Sequence, residues 1–184
     1  MNAHICLAGL AATVWLSGCS TAGIVLGDAA DIAQTPQEYV KQYESAAEPA
    51  EVRELGLRFP EALKRLEWAS KECYQFSVVK YLNGGETGRE KWTSKVTRLD
   101  DDRAAFTMQQ KLTSGPKRHY ADGGKEPEDG LWTYAIVLEN ANRNSTTAKL
   151  YYHHFYWKKP VNGVLDTIEG KHGNTCPPKD SMIP

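Results

Sequence analysis

The chain has 184 residues, with 22 Lys and Arg against 23 Asp and Glu for a formal net charge of −1, 41% hydrophobic residues and a mean hydropathy of −0.53. That balance lacks the basic excess of a nucleic-acid binder, so no nucleic-acid partner is expected. Beyond the first eighteen residues no apolar run approaches the roughly 20 residues that a membrane span requires, and the length suits one domain with a single hydrophobic core.

The chain opens on Met1 to His4 without Lys or Arg, then runs apolar from Ile5 to Trp15, broken only by small residues and Thr13. Such a run is too short for a permanent span and has the form of a signal-peptide core. Leu16-Ser17-Gly18-Cys19 comes directly after it. This stretch resembles the lipobox of bacterial lipoproteins, a resemblance confined to residues 1 to 20. It implies cleavage before Cys19, whose sulfur carries a diacylglycerol, with palmitate among the acyl chains and two or more chains giving a stable anchor in the lipid bilayer. Ser20 stands where an Asp favours retention in the inner membrane, so the implied address is the outer membrane, facing the periplasm or the surface. The resulting division is a signal peptide over 1–18, a lipidated tether over 19–34 and a single domain over 35–184.

Within that reading Cys6 leaves with the leader and Cys19 carries lipid, so Cys73 and Cys176 remain as one possible pair. Export places them in an oxidising compartment, where a disulfide persists. Two buried free thiols, or a metal pair short of ligands, are the alternatives.

Thr35-Pro36-Gln37-Glu38 is a helix start, with Thr35 as N-cap, Pro36 at N1 and Glu38 reaching back in a capping box. It predicts a helix from Pro36 to about Ala47, with Tyr39, Val40 and Tyr43 on one face. A short helix from Pro49 to Leu55 is expected next. A third, from Pro60 to about Glu72, gathers Phe59, Ala62, Leu63, Leu66, Ala69 and Cys73 on one side. Trp68 falls on the opposite side; either a loop or the first helix covers it, or it meets a partner or a membrane surface.

From Tyr74 the period changes to two, predicting a β-meander. Strands are expected over Tyr74 to Leu82, Arg89 to Leu99, Ala104 to Leu112, Leu131 to Glu139 and Ser145 to Trp157, with a last one around Val164-Leu165. The Asn83 to Gly88 loop and the Asp100-Asp101-Asp102 turn join the first three. Thr113 to Gly130 is a long loop carrying Lys117-Arg118-His119-Tyr120. On Leu131 to Glu139, Trp132 and Tyr134 share a face, and Tyr152, His154 and Tyr156 share one on the next strand.

No metal or other cofactor is expected: His153 and His154 are adjacent, and neighbours on a strand point opposite ways. Catalytic signatures such as Gly-x-Ser-x-Gly and His-Glu-x-x-His do not occur. The fold class is α+β, with N-terminal helices packed on a curled antiparallel meander of five to six strands. In element order it resembles NTF2-like and cystatin-like architectures. The expected function is a non-enzymatic lipoprotein that binds an envelope protein partner through an aromatic sheet face, with Trp132, Tyr134, Tyr152, His154, Tyr156 and Trp68 as the surface. A cup enclosing a small apolar ligand is the alternative, and an enzyme with an unrecognised site the third.

Overall fold

A computed structural model describes residues 33–81, 87–114, 127–152 and 155–184. Its elements are α1 (Pro36–Ala46), β1 (Glu51–Leu55), α2 (Phe59–Glu72), β2 (Gln75–Tyr81), β3 (Thr87–Arg98), β4 (Arg103–Ser114), β5 (Leu131–Asn142), β6 (Ser145–Tyr151), a 3-10 turn at Phe155–Trp157, α3 (Lys158–Ile168) and α4 (Lys179–Met182). The protein is α+β. Its six strands form one antiparallel sheet in the order β1-β6-β5-β4-β3-β2.

Helix α1 starts as the sequence predicts. Thr35 Oγ1 accepts from the Glu38 N–H at 3.2 Å, and the Glu38 carboxylate accepts from the N–H groups of Thr35 and Gln34 at 3.2 and 2.8 Å. These bonds satisfy donors that a helix start leaves bare. Helix α2 buries Phe59, Ala62, Leu63, Leu66 and Ala69, the stripe expected of it.

Three expectations are corrected. Residues Glu51–Leu55 form a strand instead of a short helix, because the open edge of β6 takes up their backbone groups in a Glu51↔Leu150 to Leu55↔Thr146 register. So short a helix would not repay its nucleation. Residues around Val164-Leu165 form α3, not a last strand: Val161, Val164, Leu165 and Ile168 recur at helical spacing and are all buried, and Pro160 sits in the first turn, where its missing N–H costs nothing. Finally, β6 stops at Tyr151 and Phe155–Trp157 form a 3-10 turn, so Tyr156 and Trp157 are not strand residues on opposite faces; His153 and His154 lie outside the described residues.

The buried residues divide into two clusters. One joins α2 and α3 residues to Trp92, Phe106, Tyr134, Ile136, Leu138 and Leu150; the other joins Ala33, Tyr39, Val40 and Tyr43 to Ala105, Ala135, Val137 and Tyr151. Alternate residues of β4 and β5 thus face different clusters, as the strand period requires.

The disulfide expected between Cys73 and Cys176 is present, tying the end of α2 to the C-terminal tail.

Candidate functional site

The register of β4 against β5 shifts between Met108 and Gln109: Met108 faces Tyr134, whereas Gln109 faces Trp132, leaving Thr133 as the extra residue. A bulge of this kind turns the side chains beyond it to the other face. Trp132 and Tyr134 therefore do not share a face, which corrects the alternation expected of them. Gly130, at φ +100°, makes the approach to this bulge, and the Gln109 side-chain amide donates to its carbonyl at 2.9 Å.

Trp132 joins the α1 cluster, half-buried and stacked on Tyr39. Tyr134 is fully buried in the other cluster, with Phe106 at 6.1 Å and Trp157 at 5.7 Å between ring centroids. Burial, and after it the neighbouring Tyr74, push the Tyr134 hydroxyl well above the ordinary tyrosine range. Tyr152 is half-buried against the same cluster. At Trp132 and Tyr134 the aromatic sheet face expected as a partner surface is thus an interior, because α1 residues pack against the first and α2, α3 and Trp157 share the cluster of the second.

Tyr156 is exposed beside Trp157 at 5.2 Å. Cys19, His153, His154 and the Lys117-Arg118-His119-Tyr120 cluster lie outside the described residues. Among the described residues no three His, Cys, Asp or Glu side chains are grouped to hold a metal ion, and no helix is long and apolar enough to cross a membrane.

Among the predicted surface residues, Trp68 lines a cavity. A cleft of about 500 Å³ is walled on one side by Glu61, Lys64, Arg65 and Trp68 and on the other by Thr167, Gly170, Gly173 and Asn174. The first four recur at the 3- and 4-residue spacing that puts side chains on one helix stripe. Arg65 closes the floor: one guanidinium nitrogen donates to the Ile168 carbonyl at 2.9 Å, at the end of α3, and the other to Glu61 at 2.7 Å. A Cβ on Gly170 would sit 3.0 Å from that guanidinium, and φ is +79° there, so both space and backbone favour glycine. The turn from Gly170 to Thr175 is then fixed by the bridge from Cys176 to Cys73, five residues past Trp68.

Glu61 is neutralised by Arg65, while Lys64 is exposed and makes no ion pair among the described residues. The cleft therefore offers an indole for an apolar group and a free ammonium for a carboxylate. The opposite wall was not anticipated from sequence. Its signal was there in the two glycines after Ile168 and in Cys176, which together return the tail to the end of α2.

A larger open groove, about 1020 Å³, lies between the end of α1 and the sheet. Four carboxylates line it, Glu44, Glu48, Asp102 and Glu139, against two cations that are already engaged: Arg103 contacts Glu44 and Glu139, and Lys149 reaches Glu139 at 2.8 Å. The lining therefore carries an acidic excess with both of its cations held in ion pairs.

The described residues define an α+β protein built on a six-stranded antiparallel sheet, with a disulfide-braced cleft beside α2. The chain matches no protein-family model, no curated protein and no solved structure.

Proposed function

We propose that the protein is a lipoprotein anchored in the outer membrane through Cys19, and that it holds a peptide segment of an envelope protein partner in the Trp68 cleft without catalysing a reaction. In this reading the helices pack on a sheet that curls about α2, and the binding surface moves from the sheet face to the outer side of α2. The carrying observation is the half-buried Trp68 in a cleft rimmed by the unpaired Lys64. An apolar side chain lies against the indole, and a neighbouring carboxylate meets Lys64. The small-ligand cup has less support, since the rings of Trp92, Tyr134 and Trp157 occupy the space it needs.

The test is affinity capture of the acylated protein from its own envelope, comparing wild type with Trp68→Ala and Lys64→Glu. The second change is on an exposed side chain and leaves the core alone. Both variants are expected to incorporate labelled palmitate as wild type does and to lose a partner that wild type retains in stoichiometric amount. Recovery of the same partner by both variants overturns the assignment of the cleft.

A further inference from the structure

We infer that Phe155 and Tyr156 form a lipid-contact surface that seats the end of the domain from which the tether departs on the bilayer; this rests on the lipid anchor proposed above. Phe155 is 80% exposed and Tyr156 44%, and they are adjacent in the 3-10 turn with ring centroids 6.2 Å apart. Of the described large hydrophobic side chains, Val52 and Val79 are also this exposed, but each stands singly on a strand near a sheet edge. Two neighbouring aromatic side chains are a different feature, since ring side chains are enriched where one side is apolar and the other wet.

The location of this pair selects lipid as its occupant. Strand β6 runs antiparallel to β5, so Tyr151 lies against Ala135 and the chain leaves the sheet at the end where β5 begins. At that same end the Trp132 indole N–H holds the Ala33 carbonyl at 2.7 Å. Ala33 is the first described residue, and Ser20 to Ile32 connect it to Cys19. Those thirteen residues span at most about 45 Å when fully extended, so lipid at Cys19 holds this end of the sheet within that distance of the membrane.

Charge agrees with the placement. Lys158 and Lys159 come directly after the aromatic pair and Trp157, at the start of α3, and Arg53 stands nearby on β1; Glu51, which contacts Arg53 at 2.6 Å and Lys158 at 3.7 Å, and Asp180, whose carbonyl accepts from Lys159, are the opposing groups. Lys158 and Lys159, which meet Glu51 at 3.7 Å and the Asp180 backbone carbonyl at 2.9 Å, suit a surface with anionic headgroups, where long basic side chains reach the polar layer while rings enter below it. Helix α3 then runs about 16 Å over eleven residues, from Lys158 beside the aromatic pair to the Thr167 that lines the Trp68 cleft.

The test uses the acylated full chain in vesicles of phosphatidylethanolamine and phosphatidylglycerol, with a nitroxide label on Phe155→Cys or, at the opposite end of the sheet, on Arg143→Cys. Both positions are exposed, so neither label disturbs the core. The label at 155 is expected to be open to oxygen and shielded several-fold from a water-soluble nickel chelate, while the label at 143 remains open to the chelate. Equal chelate access at the two positions overturns the inference. So does a label at 155 shielded from oxygen and chelate alike, which would mean protein covers it. Labelled palmitate on the same samples reports the anchor separately: incorporation with a water-exposed 155 leaves the anchor standing and removes the surface. If palmitate is absent, the anchor reading falls, and the chelate measurement on unacylated chain mixed with the same vesicles still decides the surface.

Discussion

Trp132 lies flat on Tyr39, with ring centroids 4.9 Å apart and planes 16° from parallel, while its indole N–H donates to the Ala33 carbonyl at 2.7 Å. This one side chain fixes α1 to the sheet and fixes the chain ahead of α1 to the same point. Trp132→Phe keeps a ring for Tyr39 and loses the hydrogen bond, a cost of about 1 kcal/mol. Trp132→Ala loses both; because the residue is half-buried, the expected cost is about 2–3 kcal/mol, at or below the low end for a fully buried Trp. Urea unfolding with an unchanged m-value checks the order. Equal costs for the two variants would show that the stack contributes nothing.

Three glycines form a graded series. A Cβ on Gly56 meets nothing within 4 Å, and φ is not positive, so Gly56→Ala should be neutral or stabilise by up to about 1 kcal/mol. Gly173 has the same open space but φ +60°, and Ala there should cost about 1–2 kcal/mol. At Gly130, φ is +100° and an added Cβ would lie 2.3 Å from the Gln110 carbonyl oxygen, so Gly130→Ala should cost more than either. Thermal melts of the three variants, ranked otherwise, would contradict this account of the bulge.

That bulge marks where the sequence stopped being legible. The helix starting at Pro36, the buried stripe of α2 and the alternation of β4 were readable because each is a local pattern of period 3.6 or 2. An inserted residue opposite Met108 and Gln109 leaves no local mark, and it moved Trp132 away from Tyr134. The misreading of α3 had a different cause: Val161, Val164, Leu165 and Ile168 carried the helical period, but the short apolar pair Val164-Leu165 was read as one more strand of the meander. At the candidate site, Trp68 was conspicuous as an apolar residue on the polar side of its helix. Its facing wall was not, because that wall depends on a bond between residues 103 apart in sequence.

The Cys73–Cys176 bridge restrains the unfolded chain over that separation, for which the chain-entropy account gives about 4.7 kcal/mol against an ordinary range of about 2–5. Replacing both cysteines by Ser should lower stability by an amount within that range. It should also release the Gly170 to Thr175 turn, since the bridge is the covalent tie next to it. Hydrogen exchange on the folded double variant should therefore quicken at those amides before those of β4 and β5. Unchanged protection there would dissociate the bridge from the cleft wall.

Asp129 precedes β5 and reaches across to β3. A hydrogen bond from Lys95 at 2.7 Å, opposed in part by burial and aided by Lys91 and Lys111, holds its carboxyl below the usual aspartate range. With the folded value depressed, the group's stabilising contribution is complete above the unfolded aspartate value of about 3.9 and is lost as pH falls through the folded value. Lys95→Met should therefore lower stability at neutral pH and change little at strongly acid pH. Melting curves of the two proteins across that window should converge as pH drops; a constant gap would assign the loss to packing.

Tyrosines set the alkaline limit. Burial pushes Tyr39, Tyr74 and Tyr134 well up from the ordinary value; burial, with Glu44 and Glu139 close by, pushes Tyr151 up to about 12. The sign depends on which state holds the proton. Above about pH 10 the unfolded chain releases phenolic protons that the folded chain retains, so each further rise in pH favours the unfolded state. Phenolate absorbance near 295 nm should thus show a late step that coincides with loss of near-ultraviolet circular dichroism. Tyr134 adds a second handle, because its hydroxyl is buried with no hydrogen-bond partner among the described residues. Tyr134→Phe removes an unsatisfied polar atom without opening a cavity, and should raise stability at neutral pH by about 1 kcal/mol. It should also shift the alkaline step upward and reduce its amplitude by one phenol. If Tyr134→Phe instead weakens the fold at neutral pH, the hydroxyl has a partner, and the burial of an unpaired phenol between Phe106 and Trp157 would have to be given up.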